Sequence, residues 1–256
     1  MKNQYFGDEN DYRKYGLIRV LTDHGKVPTG ICWMLTPDDV RNDGRFTDYL
    51  RKPSKWRQHD PELFDALVQI VDQEKRRDIT IADSPAVLPS MKFYASLLGD
   101  SLEERRFYFR EAMERFLGID LLFFDPDNGV ETQSTPVGRK NSSKYIYWNE
   151  IRDAFQAGYS ILVYQHFPRI SRDRFTENLA KDFSRQTGAI EIHTYATSRV
   201  VFFLVSQQRH MGGFRKRMDL VRKKWGKRIH ARLIMFESND LRMNEQRMES
   251  FERSNH

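Results

Sequence analysis

The chain has 256 residues and a mass of 30.5 kDa, which suits one large α/β domain or a core domain with a small appendage. A mean hydropathy of −0.71 with 30% charged residues excludes the membrane-spanning classes, since no apolar stretch approaches the ~20 residues a membrane helix needs. The net charge of +6 and pI of about 9.3 favour a polyanionic partner such as nucleic acid.

Met1-Lys2-Asn3-Gln4-Tyr5 has no signal-peptide apolar region. The single cysteine, Cys32, rules out an internal disulfide or a thiolate metal cluster; set in an apolar run, it reads as buried. These features suit a cytoplasmic location.

In chain order, residues 11–24 read as a helix closed by Gly25, and Thr29 to Leu35 as the first buried strand, ending at Thr36-Pro37-Asp38-Asp39. Asp60-Pro61 is a helix start, an acid cap with proline at the first helical position. A short strand is expected over Ile79-Thr80-Ile81, breaking at Asp83-Ser84-Pro85, and a weaker one within Met91 to Leu98. A helix over Leu102 to Leu117 leads into the apolar run Leu121-Leu122-Phe123-Phe124. Beyond a polar loop, Gly138 to Lys144, come a short helix with Trp148, Ile151 and Phe155, and a buried strand from Ser160 to Gln165. Ser171 is expected to cap a helix with Phe175, Leu179 and Phe183 on one face, and Ile190–Tyr195 with Val200–Ser206 to form an antiparallel hairpin.

Strand–helix alternation closed by that hairpin predicts a Rossmann-like α/β fold, a mostly parallel sheet with helices on both faces and an antiparallel end. Residues 1–208 form this domain, and 209–256 a basic helical extension with a polar tail packed on it.

The most informative segment is Phe124-Asp125-Pro126-Asp127-Asn128-Gly129. An apolar strand halted by Asp-Pro delivers a carboxylate to the carboxyl edge of its sheet, where open α/β sheets hold their ligands. An Asx/Gly turn would explain Asn128-Gly129 alone, but a turn does not call for two acids flanking a proline. His166, at the next strand end, stands close enough in the expected topology to act as base or ligand.

Four segments, in order, resemble the bacterial large-subunit ribosomal-RNA adenine-N6 methyltransferases of the Rossmann-like S-adenosylmethionine-dependent superfamily. Gly7-Asp8-x-x-Asp11-x-x-Lys14-Tyr15 is similar to that family's N-terminal motif, and Asp83-Ser84-Pro85 to its Gly-Ser-Pro. Asp125-Pro126-Asp127-Asn128 looks like its catalytic Asp-Pro-Pro-Tyr, and Val163 to Pro168 like the strand ending in Trp-Tyr-Pro. The resemblance implies methylation of a nucleic-acid base amine, with Asp125 and the Pro126 carbonyl accepting from the amine. It also implies S-adenosylmethionine held near Asp8, Lys14, Tyr15, Thr36 and Ser84. The sequence departs from the family at Asp127 and Asn128 and has no G-x-G-x-x-G loop.

Two other readings rest on the residues themselves. Asp38, Asp39, Asp43, Asp83, Asp125 and Asp127 all fall at expected strand ends, and Asp38, Asp83, Asp125 and Asp127 would suit Mg²⁺ or Mn²⁺ in a nuclease or phosphodiesterase. Alternatively, a non-catalytic nucleic-acid binder would use the helix on which Phe214, Met218, Val221 and Trp225 form an apolar stripe. Arg215, Lys216, Arg222 and Lys223 would then face phosphates.

Overall fold

The computed structural model describes residues 1–38 and 46–237. The expected residues Asp39 and Asp43, and the tail from 238 onward, lie outside the described residues. Helix α1 (Glu9–Leu21) precedes strand β1 (Thr29–Cys32), and a short helix α2 (Pro53–Trp56) and α3 (Pro61–Leu67) lead to β2 (Lys92–Tyr94). Then follow α4 (Leu102–Arg115), β3 (Leu121–Phe124), β4 (Gly129–Val130), β5 (Tyr145–Ile146) and α5 (Trp148–Gln156). The chain ends through β6 (Ser160–His166), α6 (Arg172–Thr187), β7 (Glu191–Ala196), β8 (Val200–Val205), α7 (Met211–Trp225) and β9 (His230–Met235).

The main sheet has the order β2-β1-β3-β6-β8-β7-β9. Strands β2, β1, β3 and β6 are parallel, and β8 is antiparallel to both β6 and β7. The fold is the mixed α/β architecture expected, with a mostly parallel sheet and an antiparallel end. Because β7 points the same way as β6, the tight turn between β7 and β8 arrives at the carboxyl edge beside Asp125.

Helices α1, α3 and α7 cover one face of the sheet through Tyr15, Ile18, Leu67, Met218 and Trp225. Helices α4, α5 and α6 cover the other through Ala112, Ile151 and Phe183. Helix α1 is buried from Asp11 to Leu21 on every side. An all-round buried helix must pair its charges, and each of its cations meets a carboxylate: Arg13 meets Glu9, Lys14 meets Asp11 and Asp125, and Arg19 meets Asp60. Gly16 admits α7, because a Cβ there would stand 1.9 Å from the Trp225 ring.

Three expectations need correction. The segment Ile79–Asp83 is a 3₁₀ helix, not a strand, because Asp78 accepts from the Thr80 amide and hydroxyl and so closes a turn. Ser171 stands at the start of α6, but its hydroxyl makes no cap bond. The extension is not purely helical: His230–Met235 pairs with β7 as an edge strand. Its period-2 pattern is hidden by a basic composition that suggests a solvated surface, and charge on an edge strand is what keeps such an edge from pairing with other chains.

Candidate functional site

The site forms where three segments meet at the carboxyl edge. Strand β3 ends at Asp125, Pro126 turns the chain, and Asn128 is drawn sideways by backbone bonds to Lys144 and His166. The parallel pair β4–β5 extends this contact and so carries Lys144 to the pocket. The β7–β8 turn contributes Arg199, whose carbonyl accepts from the Phe167 amide.

The third segment is the N-terminus. Asp8 caps α1 through the Asn10 and Asp11 amides at 2.7 and 2.9 Å. One turn on, Lys14 reaches Asp125 at 2.7 Å and Asp11 at 2.8 Å. The N-terminal motif therefore folds over the carboxyl edge, as its pattern implies. Burial alone would lower the pKa of Lys14, but the two carboxylates raise it above its ordinary value, so it stays charged.

Met1 lies over the ends of β1 and β3. Its ammonium donates to the Met34 and Asp125 carbonyls, both at 3.1 Å, and pairs with Asp127 at 2.7 Å. Met34 turns its carbonyl there at a φ of 47°, a left-handed conformation costing about 1–2 kcal/mol for a residue with a Cβ. Despite its burial, Asp127 is held below the usual carboxylate range by that ammonium and by the Thr36 hydroxyl, which donates at 2.6 Å.

Between these segments lies a cavity of about 320 Å³ lined by Asp8, Asn10, Asp11, Lys14, Asp127, Asn128, Lys144, Tyr164, His166 and Arg199 among others. Desolvation by the surrounding cavity walls lowers the pKa of the His166 ring, whose Nε2 lies 3.1 Å from the Tyr164 hydroxyl. At the rim, Phe46 is 50% exposed and the Arg199 guanidinium lies 4.4 Å from its ring centre.

Of the residues expected from sequence, Asp8, Lys14, Asp127, Asn128 and His166 line this cavity. Asp125 is buried beneath it at 1% exposure with its Oδ2 paired to Lys14, so it organises the floor and does not line the cavity. Tyr15 is buried with its hydroxyl on Asp11, and Thr36 is buried against Asp127.

Ser84 and Asp83 are not among the cavity's lining residues. They belong to the 3₁₀ helix and its cap, and burial pushes the Asp83 carboxyl up to about 6. Lys144, Arg199, Phe46 and Tyr164 were missed. The direction of the hairpin was the available signal for Arg199, since its turn had to fall at one of the two sheet edges.

The divalent-metal arrangement is not formed. Among the described residues no three His, Cys, Asp or Glu side chains are disposed to hold a metal ion. Lys14 and the Met1 ammonium neutralise Asp125 and Asp127, while Asp38 is exposed beside the Gln4 amide.

The residues do not fit S-adenosylmethionine either. Met1 and Lys2, 5% and 4% exposed, cover the end of β1, and the next residue along from β1, Trp33, is fully buried and stacked on Phe93. Tyr15 and Ser84, two of the groups that the resemblance assigns to the cofactor, do not line the carboxyl-edge cavity.

Of the basic set on α7, Arg215 holds the fully buried Glu191, and Arg222 pairs with Asp219 and donates to the Ala231 carbonyl. Lys216 and Lys223 are exposed.

No protein-family model matches the sequence, and a search of curated proteins finds no match. Among solved structures, the chain is similar to the crystal structure of protein LPL1258 from Legionella pneumophila str. Philadelphia 1, assigned to the family DUF519. The identity is 11% and the TM-score 0.45, covering 91% of this chain and 98% of that one. The fold class rests on the strand order described above. Among the described residues no helix is long and apolar enough to cross a membrane.

Proposed function

We propose that this protein binds nucleic acid and that the carboxyl-edge cavity receives one unstacked nucleotide. The observation that carries the reading is the exposed Phe46–Arg199 platform standing over a cavity floored by Asp127 and Asn128. An aromatic ring backed by a guanidinium stacks any base face. An asparagine amide offers the donor–acceptor pair that matches the edge of adenine. Lys144 and Arg199 supply the positive charge that a flanking phosphate needs.

Fluorescence anisotropy with labelled single-stranded RNA tests this. Stacking is worth roughly 1–3 kcal/mol per base, so Phe46→Ala is expected to weaken binding by about 5- to 150-fold. Asn128→Ala should reduce any preference for adenine-containing oligonucleotides. Unchanged affinity in both variants overturns the reading.

A further inference from the structure

A second basic feature lies on the far side of α1 from the cavity. The end of α2, the turn after it and the C-terminal end of α7 enclose a concavity of about 740 Å³, lined by Lys55, Lys223, Lys224, Lys227 and Arg228. Among the described residues no carboxylate lines it and none of the five makes an ion pair.

Its walls are fixed. The Arg228 guanidinium lies 3.8 Å from the Trp56 ring centre, and Arg13 lies over the same ring at 5.1 Å. His59 stacks on Trp225 at 5.2 Å and donates to the Lys224 carbonyl at 2.8 Å. Lys223 and Lys224, in the last turn of α7, complement the helix dipole. That does not account for Lys55, Lys227 and Arg228, which lie outside the helix. Like charges gathered in one concavity repel one another until an anion arrives to meet them.

We propose that this concavity docks the sugar–phosphate backbone of the nucleic acid whose nucleotide enters the carboxyl-edge cavity. The identity of the polyanion rests on the function proposed above; the site itself rests on the cation cluster. A strand can follow a concave basic track, whereas a bilayer surface is locally flat and cannot enter one. Arg13 links the two features, since it lies over the Trp56 ring and donates to the Asn10 side chain at 3.5 Å, and Asn10 lines the cavity.

The test compares charge-matched double variants of the full chain with a labelled single-stranded RNA over a salt series. Lys227→Gln with Arg228→Gln removes two concavity cations, and Lys223→Gln with Lys227→Gln does so without touching the Trp56 stack. Arg174→Gln with Lys181→Gln removes the same charge from α6, across the sheet.

Each lost phosphate contact lowers the salt slope by about 0.7 on single strands. Both concavity variants are therefore expected to flatten it by about 1.4 and to weaken binding alike for all sequences. The α6 variant should match the unmodified chain. Equal behaviour of the concavity and α6 variants overturns the proposal, as does equally tight binding to phosphatidylserine vesicles.

The pocket variant Phe46→Ala separates the two claims. Binding that responds to Lys227 and Arg228 but not to Phe46 keeps the concavity and rejects the cavity. The reverse result rejects the concavity alone.

Discussion

The carboxyl-edge cavity and the groove between α4 and α5 are both built around a buried ion pair, and they differ in what is left over. The groove is the larger of the two, about 610 Å³ against about 320 Å³, and Phe109, Met113 and Leu117 line it. Beneath it, Arg105 binds Glu150 through two nitrogens and donates to the Ser142 and Tyr145 carbonyls, with the Phe109 and Tyr147 rings 5.5 and 4.7 Å away. That guanidinium is matched on all sides, and its work is to pin the segment carrying Lys144. The cavity instead keeps Asn128, Lys144 and Arg199 directed toward space that an incoming group can enter. Arg106, Arg110 and Asp153 also line the groove, so volume says less about function than which polar groups converge on one space.

The largest expected effect breaks the cavity's floor. Lys14→Ala would leave Asp11 and Asp125 buried without their cation, and a broken buried pair costs about 3–5 kcal/mol. Urea denaturation should show that loss, and a change under about 1 kcal/mol would mean that Lys14 is not what neutralises the floor.

Arg105→Lys sharpens the comparison from the groove side. It keeps the charge but loses the two-pronged contact with Glu150, a change expected to cost about 1–3 kcal/mol. Since Arg105 holds the carbonyls on either side of Lys144, the variant should also weaken RNA binding. Loss of stability with RNA affinity intact would show that the two regions are uncoupled.

Asp8 supplies a pH signature belonging to the cavity alone. Burial first, then the Asp11 charge, pushes its carboxyl up to about 7, well above the ordinary aspartate value. The folded protein therefore binds this proton more tightly than the unfolded chain, and the Asp8 contribution to stability falls as pH rises from about 4 to about 7. Asp8→Asn keeps a good helix cap and removes the charge. Thermal melts should show the variant gaining on the unmodified protein as pH rises, by an amount on the order of 4 kcal/mol at pH 8. A difference that is flat between pH 4 and 8 would remove Asp8 from the list of titrating groups.

The smallest effect is expected in the groove. Leu117 is 67% exposed, so Leu117→Ser should change stability by no more than about 0.5 kcal/mol and leave RNA binding alone. Weaker RNA binding in this variant would move the binding surface from the cavity to the groove.

Local chemistry made much of this protein legible in its sequence. The Asp60-Pro61 helix start, the β3 run ending at Asp125 and the hairpin of β7 and β8 each follow from a cap, an apolar run or a tight turn between strands. The return of the N-terminal motif onto Asp125 was also readable, through its pattern.

Tertiary structure decided the rest. Which carboxylates stay available depends on cations brought from elsewhere in the chain: Lys14 closes Asp125 and the Met1 ammonium takes Asp127, while Asn128 stays open. The insertion of β8 between β6 and β7 placed Arg199 at the site, and an unpaired β7 edge drew in β9. A sequence specifies which residues can carry charge or stack, because those properties are local. Whether they face a ligand or one another depends on which chain segments share an edge of the sheet, and that is a property of the whole fold.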